Sequence, residues 1–293
     1  LIFNNCNFEK EIYLNDTLNC YIEFKACDFK NQKLDISKKS FHKVFNFIDC
    51  RNIESLKLTN TSFYDSTSFA YTKFTTVELV ATHFAGMAIF ANTCFQEDTE
   101  FEYCIFDENV FFNDANICKK IDIKHAIFKK DVIFLDIKSG NKQSLHHHNL
   151  ANRETARIIK HSFEKQNNII EANKFYKLEM EKRRNELSPC NSSREWLIFW
   201  LHKISSNHSQ NWMLTLFWIV VVSILGVENY DICSLCSDFK CVADYMNSVA
   251  KSFYSMFKFD KEKITLFNLL LKVTMAYLIY QLIVSIRQNT RRN

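Results

Sequence analysis

Large apolar residues recur in steps of five or six along most of the first half of the chain. The pattern is plain in "FDENVFFNDANI" (residues 106–117) and "HAIFKKDVIFLDI" (residues 125–137). A strand repeats every two residues and a helix every 3.6, so neither accounts for it. Taking the large residue as a centre, centres fall at Phe63, Phe69, Phe74, Leu79 and Phe84, near Ile89, and at Phe95, Phe101, Phe106, Phe112 and Ile117. They continue near Ile123 and at Phe128 and Phe134. The 71 residues from Phe63 to Phe134 hold 13 steps, a mean near 5.5. The beat is rougher before that, through Phe3, Phe8, Tyr13, Leu18, Phe24, Phe29 and Leu34.

Two residues before many centres stands a small or β-branched residue. These are Cys6, Cys27, Thr61, Thr67, Thr72, Val77, Thr82, Thr93, Thr99, Cys104, Val110, Ala115, Ala126 and Val132. The pattern predicts a square coil. Each side is a short extended segment that turns one small and one large side chain inward, and the chain then rounds a corner. Coils stack at strand spacing, ~4.8 Å, so Phe lies above Phe. A sandwich of Phe-rich strands would instead alternate with period two and turn at Gly or Pro every 8–12 residues. The doubled Phe111-Phe112 is read as the place where a sixth residue enters, with Phe111 bulged or exposed.

The motifs "ACDFK" (residues 26–30), "CIFDE" (104–108), "ANICK" (115–119) and "AIFKK" (126–130) resemble the pentapeptide-repeat family: a small residue, a polar one, a central Leu or Phe, then two polar residues. The resemblance covers about residues 1–137 and is least regular between Leu34 and Leu58. It implies a right-handed quadrilateral β-helix with four pentapeptides per coil. The chain departs from the family by a sixth residue at about every second step, expected to bulge at corners.

The polar stretch 138–154 ends the repeat. Residues 152–187 place Ile158, Ile159, Phe163, Ile169, Ile170, Phe175, Leu178 and Met180 at roughly helical spacing, with Asn152 as an N-cap. This linker and helical arm, residues 138–193, is expected to cover the open end of the β-helix, because terminal edges of a solenoid need protection. A partner-binding or self-associating helix is the alternative. Residues 194–293 bring an amphipathic, Trp-rich segment (194–204) suited to the inner membrane surface. Two apolar stretches follow, at about 208–227 and 264–286, read as a two-helix transmembrane hairpin. Lys272 and Gln281 fall inside the second, where a polar residue marks a pathway, a pair or a snorkelling end. The tail "YLIYQLIVSIRQNTRR" (277–292) and "EANKFYKLEM" (171–180) look like those of bacterial membrane-bound pentapeptide-repeat proteins. Some of that group carry a two-helix pore module. A potassium-type filter needs Gly carbonyls, and none stands between Glu228 and Lys263.

Composition refines this picture. The 293 residues include 28 Phe but only 3 Gly and 1 Pro. So few Gly predicts turns that avoid positive φ. Residues 1–137 carry 15 Lys and Arg against 20 Asp and Glu, and residues 138–293 carry 22 against 13. Basic residues flank both apolar stretches, and the loop between them is near neutral. The positive-inside rule then puts both termini and the β-helix in the cytoplasm, with the chain multi-pass in the inner membrane. The chain opens at Leu1 inside the repeat, without an initiator Met or a signal peptide, and a truncated N-terminus is expected.

Chemistry is sparse. Seven of the 11 Cys lie in the repeat, several of them at the small inward position as compact hydrophobes. Cys233, Cys236 and Cys241 lie in the loop between the spans and suit a disulfide of undetermined pairing. His146, His147 and His148 are adjacent and lack the further ligands of a metal site. No phosphate loop, nucleophile elbow or metalloprotease motif occurs. The expectation is therefore no enzyme, no cofactor and no metal. The leading reading is a membrane-anchored scaffold for an unknown protein partner, with self-association open. A channel-like or transport-accessory subunit, prompted by Lys272 and Gln281, is the alternative. DNA mimicry, which some soluble pentapeptide-repeat proteins use, fits poorly with so small an acidic excess, and no nucleic acid is expected.

Overall fold

A computed structural model of the chain describes residues 1–10, 12–140, 143–190, 192–227, 239–258 and 265–290. It divides into two compact units, Leu1–Arg183 and Arg184–Asn293.

The first unit is a parallel β-solenoid of about 6 turns, with strands ~22 residues apart. Strands of successive turns pair in register and form three sheets. One runs from Ile2–Asn4 through Ile22–Lys25, Phe45–Ile48, Thr67–Ser68, Ala88–Ile89 and Val110–Phe111 to Val132–Ile133. Another stacks Ser40–Phe41, Ser62–Phe63, His83–Phe84, Ile105–Phe106 and Ile127–Phe128. In the third, long strands such as Lys73–Val80 pair onward with two short ones, Cys94–Phe95 and Thr99–Glu102. A regular turn thus holds four short strands, each too short to be stable alone.

Register makes the ladders. Phe63, Phe84, Phe106 and Phe128 are direct partners, and their rings stack at 5.0, 4.8 and 5.0 Å, within 12° of parallel. Phe69, Phe90, Phe112 and Phe134 make a second column at 5.2, 5.0 and 5.1 Å. Strand spacing dictates the ring spacing, so Phe stacks directly on Phe along these two columns. Phe63, Phe69, Phe74, Leu79, Phe84, Phe95, Phe101, Phe106, Phe112, Ile117 and Phe134 are all buried in one core, and Phe128 is half-buried against it. The centre placed near Ile89 is Phe90, buried, with Ile89 half-buried on the outward side.

The corners are of two kinds, and they explain the mean of 5.5. In one kind the step is five and the corner residue is left-handed. Asp49, Tyr71, Asn92, Asp114 and Asp136 occupy one such corner, and Lys38, Asn60, Ala81, Tyr103 and His125 the other, with φ between 49° and 65°. The other kind rounds the corner without a left-handed residue and can take one residue more. The scarcity of Gly therefore does not spare the fold positive φ. It moves that conformation onto Asn, Asp, Tyr, Ala, His and Lys, held there by the stacked coils. Phe111 is a regular strand residue, half-buried and paired with Ile89 and Ile133. The extra residue lies in the corner at 107–109, because three residues instead of two separate Phe106 from the small inward Val110.

At many left-handed corners the next residue is a small inward Thr or Cys whose side chain brackets the coil before it. Thr72 Oγ1 donates to the Phe47 carbonyl at 3.0 Å, Thr93 to Phe69 at 2.8 Å, Thr61 to Ile36 at 2.8 Å and Thr82 to Leu58 at 2.8 Å. Cys27, Cys50 and Cys104 donate through Sγ to Phe3, Phe24 and Leu79 at 3.4, 3.3 and 3.4 Å. In every case the acceptor lies two residues before the corner of the preceding coil. Thr or Cys is thus small enough for the bore and able to satisfy a buried carbonyl.

Helix α1 (Arg153–Lys165) lies over the last coil, and α2 (Ile169–Glu186) packs on α1. Asn152 caps α1 by accepting from the Thr155 N–H at 2.9 Å. Thr155 Oγ1 in turn accepts from the Ile123 N–H at 3.1 Å. Fully buried Asn149 donates to the Lys119 carbonyl at 2.8 Å, and Gln166 to the Val132 carbonyl at 3.1 Å. The helix thus supplies partners that a further coil would otherwise provide. Phe163 of α1 stacks on Phe175 of α2 at 5.5 Å. Buried Glu179 is neutralised by Lys160 at 2.8 Å and Arg157 at 3.3 Å.

The second unit contains α3 (Ser193–Ser206), α4 (Trp212–Leu225), α5 (Phe239–Ser255) and α6 (Leu266–Thr290). Among the described residues, one helix segment, Leu266–Gln288, is long and apolar enough to cross a membrane. The first expected span is shorter. Asn207, His208 and Ser209 are all left-handed and end α3, and Asn211 caps α4 by accepting from Leu214 N–H. The helix therefore cannot extend back to residue 208. Its 14 residues reach ~21 Å at 1.5 Å each.

Candidate functional surfaces

The outward side chains of the solenoid form ladders as regular as the inward ones. Several neighbours on successive coils pair opposite charges, although Glu78, Glu100 and Asp122 stack as one acidic column. Lys57 pairs with Glu78 at 3.3 Å, Lys130 with Glu108 at 2.5 Å, Lys138 with Asp114 at 2.5 Å, and Lys119 with Glu97. Asp107 bridges two neighbours, His83 Nε2 at 2.9 Å on the coil before and Lys129 Nζ at 2.8 Å on the coil after. Hydrogen bonding to Lys129, then to His83, holds the Asp107 carboxyl below the usual carboxylate range. Asp28 is buried where Asp28–Asp35 is irregularly paired with Arg51–Thr59. It accepts from the Lys30 N–H at 2.9 Å and from the Asn52 amide at 3.0 Å, and these bonds lower its pKa. Aromatic pairs stand between the charges, His42 on Tyr64 at 4.6 Å and Tyr103 on His125 at 5.1 Å.

Cys50, Cys94 and Cys104 are unsuited to nucleophilic work. Burial pushes Cys50 and Cys104 up to about 12, and burial together with neighbouring Cys118 pushes Cys94 up to about 11. Among the described residues, no group of three or more His, Cys, Asp or Glu is placed to hold a metal ion. His146 and His148 stack at 5.6 Å, and His147 lies 3.9 Å from Glu181. Cys233 and Cys236 lie outside the described residues, and Cys241 falls in α5 without a described side chain.

In the helical unit, Lys272 and Gln281 of the apolar α6 both find internal partners. Gln281 is buried, and its Oε1 accepts from Ser206 Oγ at 3.1 Å and from Ser209 Oγ at 3.4 Å. Tyr277 OH meets Ser205 Oγ at 3.2 Å. Lys272 Nζ donates to the Lys258 carbonyl just beyond α5, a favourable place for a cation. Gly226, at the end of α4, lies so close to α5 that an added Cβ would sit 2.4 Å from Met256 Cε and 2.7 Å from Ser252 Oγ. Gln210, before α4, bonds to Gln288 at 3.4 Å, so α4 and α6 run antiparallel. The sequence singled out Lys272 and Gln281 but not their partners. The signal was the run Ser205-Ser206 closing the amphipathic α3.

Comparison with protein-family models, curated proteins and solved structures finds no match.

Proposed function

We propose that the chain is a non-enzymatic, membrane-anchored scaffold whose solenoid is a right-handed quadrilateral β-helix of the pentapeptide-repeat kind. One observation carries the reading. A rod whose inward positions are all consumed by packing is joined, in one chain, to a helix long and apolar enough to cross a bilayer. The rod's remaining chemistry faces outward as coil-to-coil ladders of charge and aromatic rings, a format that suits recognition of another protein. Four short strands per turn and small-then-large inward pairs support the quadrilateral form. α6 serves as the spanning anchor with α4 antiparallel beside it, so the start of α4 and the end of α6 share one side. Arg194, Lys203 and Arg287 favour the cytoplasmic side, which would place the solenoid there, in the inner membrane. Lys272 and Gln281, the residues a conduction path would use, are bound within the unit, which weighs against a channel-like role.

The test is fractionation of the full chain and of a chain ending at residue 192, before α3. The full chain is expected in the membrane fraction and the shortened one outside it. A shortened chain still in the membrane refutes the anchor. Photo-crosslinkers at outward Tyr64 and Glu100 in native membranes are expected to give discrete protein adducts. No adduct from any outward position refutes the scaffold role.

A further inference from the structure

Helix α3 ends in a buried polar pair, Ser205 and Ser206, which meet Tyr277 and Gln281 of α6. Its outward stripe is apolar: Leu197, Ile198, Leu201 and Ile204 are 54%, 65%, 51% and 49% exposed. Their spacing of one, three and three residues puts them on one face. Four exposed aliphatic side chains in a row are costly in water and mark an interaction site.

The place of α3 in the helical unit selects the occupant. Trp218 Nε1 donates to the Ile204 carbonyl at 2.9 Å, and Thr215 Oγ1 to the Ser205 carbonyl at 3.0 Å, so the end of α3 is fastened to the first turns of α4. The Gln210–Gln288 bond sets that junction near the C-terminal end of α6. If α6 spans a bilayer, the turn between α3 and α4, at Gln210, lies at the edge of that bilayer on the side of Arg287, and the end of α3 lies just inside it, level with Tyr277 and Gln281. The exposed apolar side chains of α6 toward that end are Tyr280, Ile283 and Ile286. The charges at this level are cationic. Arg194 and Lys203 lie on α3, Lys203 Nζ sits 5.2 Å from the Trp200 ring centroid, and Arg287 lies in the last turns of α6. Glu195 is the one carboxylate on α3, and α4 and α6 have none.

We propose that α3 is an interfacial seat for an anionic phospholipid leaflet: its Leu/Ile stripe enters the acyl boundary while Arg194 and Lys203 hold acidic headgroups. This rests on the membrane-anchor reading. Basic residues near an anionic leaflet and aromatic rings at its boundary are both favourable there.

The experiment reconstitutes the full chain into phosphatidylcholine vesicles with and without phosphatidylglycerol, using lipids brominated at shallow or deep acyl positions. In a Trp212→Phe/Trp218→Phe chain, the remaining reporters are Trp196 and Trp200, both on α3. Shallow bromines are expected to quench them more than deep ones, and phosphatidylglycerol to raise the quenching at least about two-fold. Arg194→Gln/Lys203→Gln is expected to abolish that rise and to leave quenching in phosphatidylcholine alone unchanged. The same pair of substitutions in the chain with all four Trp guards against a folding defect caused by losing the Trp218 bond. Incorporated protein whose Trp196 and Trp200 are quenched by acrylamide but not by bromine overturns the proposal. So does protection that depends on protein concentration, which would assign the stripe to a second copy. Equal quenching with and without phosphatidylglycerol overturns the headgroup selection. A chain that does not enter vesicles at all refutes the anchor itself, a result distinct from the others.

Discussion

Thr72 Oγ1 donates to the carbonyl of Phe47, one coil away, at 3.0 Å, and accepts from the Cys50 N–H at 3.2 Å. A single fully buried hydroxyl thus satisfies two backbone groups at a corner where the left-handed Tyr71 interrupts the ladder. Thr72→Val keeps the shape and removes both bonds. It is expected to cost about 1–3 kcal/mol, because two buried polar groups lose their partner. Thr72→Cys keeps a donor, as at Cys50, and should cost less. Urea unfolding midpoints of the two variants check the order.

The Phe columns carry the core. Phe84 stacks between Phe63 and Phe106 and is fully buried. Phe84→Ala is expected to lose about 3–5 kcal/mol, and Phe84→Leu a smaller amount. Tyr64→Ala on the outer surface should change stability by no more than about 0.5 kcal/mol. Thermal melts followed by circular dichroism separate the three.

Ala81 and Gly86 sit at adjacent corners with opposite needs. Ala81 is left-handed at φ 49°. Gly86 is tight: a Cβ there would lie 2.4 Å from the Asp65 carbonyl carbon. Gly86→Ala is expected to destabilise by about 1–3 kcal/mol through backbone displacement. Ala81→Gly relieves left-handed strain and, after the entropy gained by the unfolded chain, should be neutral or stabilising by up to about 1 kcal/mol. Opposite shifts in melting temperature are the expected result.

Acid should loosen the solenoid through its bridged carboxylates. The Asp107 pKa is lowered in the folded chain by Lys129 and His83. A folded pKa below the unfolded value means that the stabilisation is fully present above the ordinary carboxylate pKa of 3.8 and is lost as pH falls through the lower folded value. Asp107→Asn is therefore expected to flatten the fall of melting temperature with acidification below about pH 4. At neutral pH it lowers stability. A variant with the wild-type acid slope would remove Asp107 from this role.

Gln281 ties α6 to the turn between α3 and α4. Gln281→Leu is expected to leave membrane partitioning intact, since it makes α6 more apolar. The helical packing should weaken by about 0.6–2 kcal/mol, the range of polar contacts between membrane helices. Faster proteolysis within residues 207–211, with unchanged membrane fraction, is the measurement.

The inward residues were legible because burial repeats at fixed intervals, a small residue and then a large one. The two corner types were not. Both read as polar punctuation, and nothing in Tyr71, Ala81 or His125 as residue types announces a left-handed backbone. Phe111 looked like an insertion because two Phe stand side by side. Register with Ile89 and Ile133 makes it an ordinary outward strand residue. At the membrane end, hydrophobicity reported α4 and α6 as stretches, but not where either helix starts.

By itself, the spacing of apolar residues determined that the first half is a stacked coil, which residues line its bore, and that an apolar helix follows. These are consequences of local periodicity, and periodicity is written in one dimension. Only the tertiary structure decided which corner takes the extra residue, which carbonyl each Thr or Cys brackets, and which groups satisfy Lys272 and Gln281. Those answers join residues 14 to 75 positions apart, and the joining depends on how coils and helices meet in space.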